Sequence, residues 1–127
     1  MGDLPPMQLG HPRTELRRQL VDAVLRGEKT ATAGLLAEYE AEGEPLPDVG
    51  ERFLLLDYDD EPVAVVETVE LRVLRAGDVD LAFARDEGEG FTSVEEWRAA
   101  HESFWAREEI TDDTLVVAER FRLVDRL

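Results

Sequence analysis

The sequence predicts an α+β domain built on a strongly curled sheet. Three observations support this fold class: a helical spacing of apolar residues near the N-terminus, two later segments of alternating apolar residues, and a helix start signal between those two segments. At 127 residues the chain is most simply one domain. We expect an extended segment over residues 1–12, where three prolines occur, and one folded domain over residues 13–127.

The first helix is predicted to follow Thr14. This residue is the expected N-cap, apolar residues then recur at helical spacing as far as Leu25, and Gly27 supplies a left-handed stop. The next residues, Thr30 to Thr32, favour an extended conformation. Residues 38–51 contain the glycine, proline and acidic residues that are typical of a surface loop.

Two strands are predicted from alternation, and each carries a glutamate on its apolar face. In VAVVETVELRVL (63–74) the odd positions are apolar and Glu67 interrupts them, whereas TLVVAERFRLV (114–124) has Glu119 among its apolar positions. Because a buried carboxylate needs a cation, several donors or its own proton, an internal salt bridge and a catalytic role both stay open. A small barrel or strongly curled sheet would bury one face around these carboxylates.

Two helices are predicted between those strands. A short one begins near Asp78 or Asp80 and ends at Gly88, and a longer one begins with a capping box from Ser93 to Glu96. One stripe of the longer helix contains Val94, Trp97, His101, Phe104, Trp105 and Glu108. His101 is therefore either a hydrogen-bonded packing residue or a ligand and proton carrier.

The charge excludes several classes of function. Thirty acidic and 14 basic residues give a net charge of −16, which repels polyanions, so duplex DNA is not an expected partner. The region from Arg13 to Lys29 is locally basic, and its arginines (Arg17, Arg18 and Arg26) form either a solvated helix face or a phosphate contact. No apolar run is long enough to cross a bilayer and no secretion signal is evident, so we expect a cytoplasmic protein without membrane contact.

Lys29 is the single lysine of the chain, and every other basic position is arginine. Lysine can lose its proton when desolvated and then act as a base, which arginine cannot do, although codon usage alone could also leave one lysine. The Thr32 hydroxyl could act as a nucleophile or substrate anchor if the chain bends near Ala31, because a regular strand would place Lys29 and Thr32 on opposite sides. Glu87 or Glu89 could then protonate a leaving group.

Other site signatures are absent from the sequence. There is no phosphate-binding or dinucleotide-binding glycine motif and no HExxH, and the chain has two histidines and no cysteine. We therefore expect no cofactor and no dedicated metal site. Loose binding of Mg²⁺ or Mn²⁺ by clustered carboxylates is the one alternative.

Four segments together resemble the ASCH domain family: LRGEKTATAGLLAEYEAEGEPLPDVGE, FARDEGEG, SVEEWRAAHESFW and VVAERFRLV. The resemblance covers about residues 13–124 and implies a PUA-like β-barrel flanked by helices. It also implies recognition of RNA. One branch of the family hydrolyses the acyl amide of N4-acetylcytidine, with the motif lysine as proton acceptor, the threonine three residues later as nucleophile and a downstream glutamate as proton donor; another is described as a metal-assisted ribonuclease.

Carried onto this sequence, the resemblance implies three catalytic residues, Lys29, Thr32 and Glu87, with Glu89 as the alternative acid. The expected substrate contacts are Thr30, Arg26, Glu89, Glu67 and His101. Hydrolysis of an N4-acylated cytidine is the first hypothesis, and a binding module without chemistry or a metal-dependent ribonuclease are the alternatives. The expected partner is a small nucleoside or short RNA, bound by a monomer or homodimer.

Overall fold

The computed structural model describes residues 4–105 and 109–127, which form a five-stranded sheet and four α-helices. In chain order the elements are β1 (Pro6–Met7), α1 (Glu15–Leu25), β2 (Ala31–Leu35), α2 (Leu36–Glu42), β3 (Arg52–Leu56), β4 (Pro62–Arg75), a single 3₁₀ turn (Ala76–Asp78), α3 (Leu81–Asp86), α4 (Val94–Phe104) and β5 (Leu115–Arg126). The predicted α+β class is confirmed. Glu108, which was expected on the stripe of the longer helix, lies outside the described residues.

The sheet is curled but open, so the predicted β-barrel is wrong. Its strand order is β1-β3-β4-β5-β2, which leaves β1 and β2 as the two edges. The strand β1 has only two residues, and both pair with β3, so it offers too little backbone to close the sheet onto β2. Both edge strands instead border one large cleft.

The pairing of the two long strands is irregular at two points. The register of β4 against β5 shifts between Val65 and Val66 and again between Thr68 and Glu70. A shift of this kind increases the local twist and turns the following side chains to the other face on the strand that holds the extra residue. That residue is Val124 of β5 at the first shift and Val69 of β4 at the second. The second shift explains why alternation along β4 gives the wrong orientation for its glutamate.

The inward orientation predicted for Glu67 is wrong. Before the second register shift the buried residues of β4 are the even ones, Ala64, Val66 and Thr68, and Glu67 points to the opposite face. There it accepts hydrogen bonds from the Nε atoms of Arg52, at 3.0 Å, and Arg122, at 3.3 Å. These two bonds hold the pKa of Glu67 below its usual value.

The central part of β5 is buried on both faces. One face, with Phe121, packs against a core that includes α1. The other face, with Val116 and Ala118, packs against a core formed with α3 and α4. Glu119 lies on the first face and is 4% exposed, so its predicted inward orientation is confirmed.

Two elements were missed in the sequence. The helix α2 occupies the first part of the predicted loop 38–51, and it buries none of its residues, so it has no apolar stripe to mark it. It ends at Gly43, whose φ of 66° gives the left-handed C-cap. The strand β3 was missed because its short apolar run, FLLL, shows no alternation of apolar and polar residues that would predict a strand.

The predicted helix starts are confirmed. Side chains of Thr14, Asp80 and Ser93 accept hydrogen bonds from backbone N–H groups in the first turns of α1, α3 and α4. In the described part of the chain, no helix combines the length and apolarity that a membrane crossing needs.

Candidate functional site

Lys29 is held in place by the way the chain leaves α1. Gly27 adopts a φ of 81°, which reverses the chain at the end of the helix. The backbone N–H of Lys29 then donates to the carbonyl of Ala23 at 3.1 Å, and that of Thr30 donates to the carbonyl of Asp86 at 2.7 Å. The start of β2 is therefore attached to both α1 and the end of α3.

The turn after α3 lies directly against this segment. Gly88 has a φ of 69°, and a methyl group at its Cα would approach the Glu28 carbonyl oxygen to 2.5 Å and the Lys29 Cα to 2.6 Å. Only glycine allows so close an approach with this backbone conformation. The contact places Glu87 and Glu89, on either side of the glycine, beside the Lys29 side chain.

The Lys29 amine is enclosed by acceptors. It donates to the carbonyl of Ala31 at 2.8 Å and to the carbonyl of Glu87 at 3.1 Å. The carboxylates of Glu89 and Glu87 lie 3.6 Å and 4.0 Å from Nζ. The Lys29 side chain is 1% exposed, whereas that of Glu89 is 24% exposed. Of these two side chains, Glu89 is therefore the one in contact with solvent.

Glu87 connects the lysine to α4. Its Oε2 atom accepts a hydrogen bond from the indole Nε1 of Trp97 and lies 3.4 Å from Nε2 of His101. The His101 ring stacks on Trp97 with a centroid distance of 4.3 Å, and its Nδ1 lies 2.8 Å from the Trp97 carbonyl oxygen. Both imidazole nitrogens thus face acceptors, an arrangement that suits the doubly protonated ring.

Burial and the close charges change the protonation of this group. Burial lowers the pKa of Lys29, and the opposing effects of Glu87 and Glu89 only reduce that shift. Burial also raises the pKa of Glu89, against the effect of the lysine. The pKa of His101 would fall through burial, but its hydrogen bond to Glu87 and the charge of that carboxylate outweigh burial and raise it. A lowered pKa makes the neutral amine, the form that can accept a proton, easier to reach than in an exposed lysine.

The same residues offer a set of metal ligands. Glu87, Glu89 and His101 place ligand atoms within 4.8 Å of one another, a donor set that Mn²⁺ or Mg²⁺ could use. However, the Lys29 amine already lies between the two carboxylates, and the Trp97 indole already donates to one of them. A divalent ion would have to displace these contacts, so the residues fit a metal poorly.

Thr32 lies in a different environment, a cleft of about 800 Å³ between the two edges of the sheet. The cleft is bordered by the β1 and β2 segments, by α2 with the loop after it, and by Val117 and Glu119 of β5. Thr32 pairs with Glu119 in register, so both side chains lie on the face that borders the cleft. The link between the Lys29 amine and this cleft is its hydrogen bond to the Ala31 carbonyl, which belongs to the peptide group between Ala31 and Thr32.

Glu119 has few partners for a buried acid. The Thr68 hydroxyl donates to its Oε2 at 2.7 Å, and no other hydrogen bond or ion pair reaches its carboxyl group from the described residues. Burial raises the pKa of Glu119, and the nearby charge of Glu51 adds to the effect of burial. Burial together with Glu119 also raises the pKa of Tyr39 to about 12, so this tyrosine keeps its hydroxyl proton.

The structure brings together only part of the set of predicted site residues. Lys29, Glu87, Glu89 and His101 form one cluster, buried except for Glu89, whereas Thr32 borders the cleft. The other predicted contacts lie elsewhere: the Thr30 hydroxyl is 3.4 Å from the Asp86 carbonyl, Arg26 pairs with Glu28 at the surface, and Glu67 pairs with Arg52 and Arg122.

Two arginines considered for phosphate binding are engaged within the protein. Arg17 is fully buried and donates to the backbone carbonyls of Leu9 and Gly10, besides pairing with Asp60. Arg18 lies over the Tyr58 ring, with its guanidinium carbon 4.5 Å from the ring centroid. Arg17 therefore braces the start of the chain and is not available to a phosphate.

Sequence analysis missed three site residues. Tyr39 borders the cleft but belongs to the helix that the sequence did not reveal, and Thr68 lies on the buried face of β4, which alternation had given to the odd positions. The sequence predicted that Trp97 lies on the apolar stripe of α4, but nothing in the sequence indicated that its indole N–H donates to Glu87.

The chain matches one protein family model and is similar to several solved structures. The ASCH domain family model matches residues 6–125. A crystal structure of a protein from Enterococcus faecalis V583 is similar with a TM-score of 0.88 and 27% identity, over 99% of this chain and 79% of that chain. A crystal structure of an ASCH domain from Lactobacillus crispatus JV V101 is similar with a TM-score of 0.84 and 30% identity, over 96% of this chain and 80% of that chain.

A more distant likeness supports the fold alone. The crystal structure of a mutant ASCH protein from Zymomonas mobilis has a TM-score of 0.52 and 15% identity, over 86% of this chain and 68% of that chain. No curated protein matches the sequence.

Proposed function

Because the chain belongs to the ASCH domain family, whose members commonly bind RNA, we propose that its cleft binds a small nucleoside or nucleobase that carries no phosphate. The observation that supports this proposal is the charge of the cleft. Five acidic residues border it, and no lysine or arginine does so among the described residues: Glu38, Glu42, Glu44, Glu51 and Glu119. A phosphate group would be repelled there, whereas an uncharged ring would not.

The size and lining of the cleft suit a nucleoside. A volume of about 800 Å³ lies within the range of small-ligand sites, about 300–1,000 Å³. Tyr39 and Phe53 supply aromatic surface for a planar ring, and Thr32 and Glu119 supply polar groups on one wall. This combination of apolar surface and few polar groups is typical of sites that orient an uncharged aromatic ligand.

Isothermal titration with cytidine and cytidine 5′-monophosphate tests this proposal. We expect cytidine to bind about tenfold or more tightly than its monophosphate, because the acidic wall repels the phosphate. The difference should shrink in about 1 M NaCl, where charges are screened beyond about 3 Å. Tighter binding of the monophosphate, or of a short single-stranded RNA, would contradict the proposal.

Hydrolysis of an N4-acylated cytidine is a second candidate, and the buried Lys29 amine with its lowered pKa favours it. In that reaction neutral Lys29 takes the Thr32 hydroxyl proton, and the hydroxyl oxygen attacks the acyl carbon. The bond from the acyl carbon to N4 breaks, and Glu87, which takes a proton from the Lys29 ammonium 4.0 Å away, gives it to the leaving nitrogen. Water then cleaves the acyl ester of Thr32 and releases the carboxylic acid.

The positions of the two groups set a requirement on this reaction. The Lys29 amine is bonded to the Ala31 carbonyl, and the Thr32 side chain borders the cleft on the other side of that peptide. To activate the threonine, Nζ would have to exchange the Ala31 carbonyl for the Thr32 hydroxyl. Nucleoside binding without chemistry needs no such movement, which is why it is the first proposal.

Chromatography of N4-acetylcytidine incubated with the protein separates the two candidates. Hydrolysis predicts release of cytidine and acetate, loss of turnover in Lys29→Arg and Thr32→Val, and retention of turnover in Thr32→Ser, which keeps the hydroxyl. Unchanged turnover in Lys29→Arg, or no free cytidine from the wild type, would refute the hydrolytic mechanism. Cleavage of a short single-stranded RNA that depends on added Mn²⁺ and is lost with chelator would instead favour a metal-dependent ribonuclease.

A further inference from the structure

Glu119, the buried acid of the cleft, has one carboxyl oxygen without a hydrogen bond from the described residues. Glu119 accepts a single hydrogen bond, from Thr68 to Oε2, and the described residues give Oε1 none. Oε1 of Glu119 is not among the described side-chain atoms that are both sealed from solvent and without a hydrogen bond, so this unbonded oxygen keeps contact with solvent. Oε1 of Glu119 therefore opens toward the cleft that the residue borders.

We propose that Glu119 acts as a carboxylic acid which donates a hydrogen bond from Oε1 to an acceptor atom of an uncharged ring bound in the cleft. This inference rests on the proposed function, because it assigns a contact to that ligand. The Thr68 bond fixes which oxygen faces the ligand. An acid offers a donor together with the acceptor capacity of its other oxygen, which matches ring edges such as N3 and N4 of cytosine.

The surroundings of Glu119 keep it in the acid form. Burial raises the pKa of this residue, and the charge of Glu51 adds to that effect. The other charged residues that border the cleft are also acidic: Glu38, Glu42 and Glu44. Tyr39, on α2, is neutral and contributes no charge. No cation borders the cleft among the described residues, so the Thr68 hydrogen bond is the one contact from them that favours the carboxylate, and burial outweighs it.

The test is the pH dependence of cytidine binding, measured by titration calorimetry from about pH 5, just above the ordinary pKa of a glutamate, to about pH 9. Wild-type affinity should be constant at low pH and should then fall about tenfold per pH unit once Glu119 ionises. Glu119→Gln, which keeps a donor at the same position, should bind with an affinity that no longer falls with pH. Glu119→Leu, which has no donor, should bind about tenfold or more weakly at pH 6.

A matched control and the contrary outcomes complete the test. Glu40→Gln makes the same chemical change on α2 at an exposed residue that does not border the cleft, and it should leave the pH profile unchanged. Circular dichroism of each variant confirms that it is folded before titration. Binding that strengthens as pH rises, or a profile that Glu119→Gln does not alter, overturns the Glu119 assignment alone. No cytidine binding at any pH overturns the proposed function and the assignment with it.

Discussion

Replacement of Gly88 by alanine tests how the Lys29 cluster is built. The turn after α3 reaches the lysine segment only because Gly88 has no side chain and adopts a φ of 69°. A methyl group there would meet the Glu28 carbonyl oxygen at 2.5 Å and the Lys29 nitrogen at 2.6 Å, about 1 Å inside normal contact. These are backbone atoms and cannot move as a side-chain tip can. Gly90 provides a matched control, since its φ is 85° and a methyl group added there would have nothing within 4 Å.

The expected loss of stability follows from two contributions. The left-handed conformation costs an alanine about 1–2 kcal/mol, and this cost applies to both variants. Overpacking against the backbone adds about 1–3 kcal/mol at position 88 only. We therefore expect Gly88→Ala to lower the free energy of unfolding by about 2–5 kcal/mol, compared with about 1–2 kcal/mol for Gly90→Ala.

Urea unfolding followed by circular dichroism measures both variants under the same conditions. Because each variant changes glycine to alanine, their effects on the unfolded chain are the same and cancel in the comparison. Equal losses for Gly88→Ala and Gly90→Ala would refute the close packing of the turn against Glu28 and Lys29.

Three further predictions concern the cluster and the cleft. With ¹³C-labelled lysine, the single lysine signal should titrate below the ordinary pKa of 10.5, because Lys29 is buried; titration at or above that value would contradict its burial. Trp97→Phe removes a donor from the buried Glu87 carboxylate and should cost about 1–3 kcal/mol in urea unfolding, so an unchanged midpoint would exclude that hydrogen bond. A methyl group at Gly34 would lie 3.1 Å from the Tyr39 ring, so Gly34→Ala should displace the tyrosine and weaken cytidine binding several-fold in calorimetry, whereas unchanged affinity would separate Tyr39 from the ligand.

Local signals in the sequence predicted a large part of this fold. The caps at Thr14 and Ser93 depend on residues within one helical turn, so the helix starts were predictable without the rest of the chain. The inward direction of Glu119 was predictable because the residues two positions before and after it on β5, Val117 and Phe121, are apolar and lie on the same face. The chemistry of lysine suggested a desolvated amine near Glu87 or Glu89, but no local pattern in the sequence predicted that Lys29 is buried.

The features that were missed depend on contacts between distant segments. Glu67 was assigned to the wrong face because the register shift beyond Thr68 arises from pairing with β5, which alternation along β4 does not encode. The open sheet results from the shortness of β1. The cleft could not be predicted because α2, which carries Tyr39, buries no residue and leaves no periodic pattern.

A crystal structure of the protein with cytidine would test the central claim most directly. The account predicts that the cytosine ring lies in the cleft beside Tyr39, with a ring or exocyclic atom about 2.7–3.2 Å from Oε1 of Glu119. Cytidine bound outside the cleft, for example at the exposed carboxylate of Glu89, or a base that makes no contact with Glu119, would contradict it.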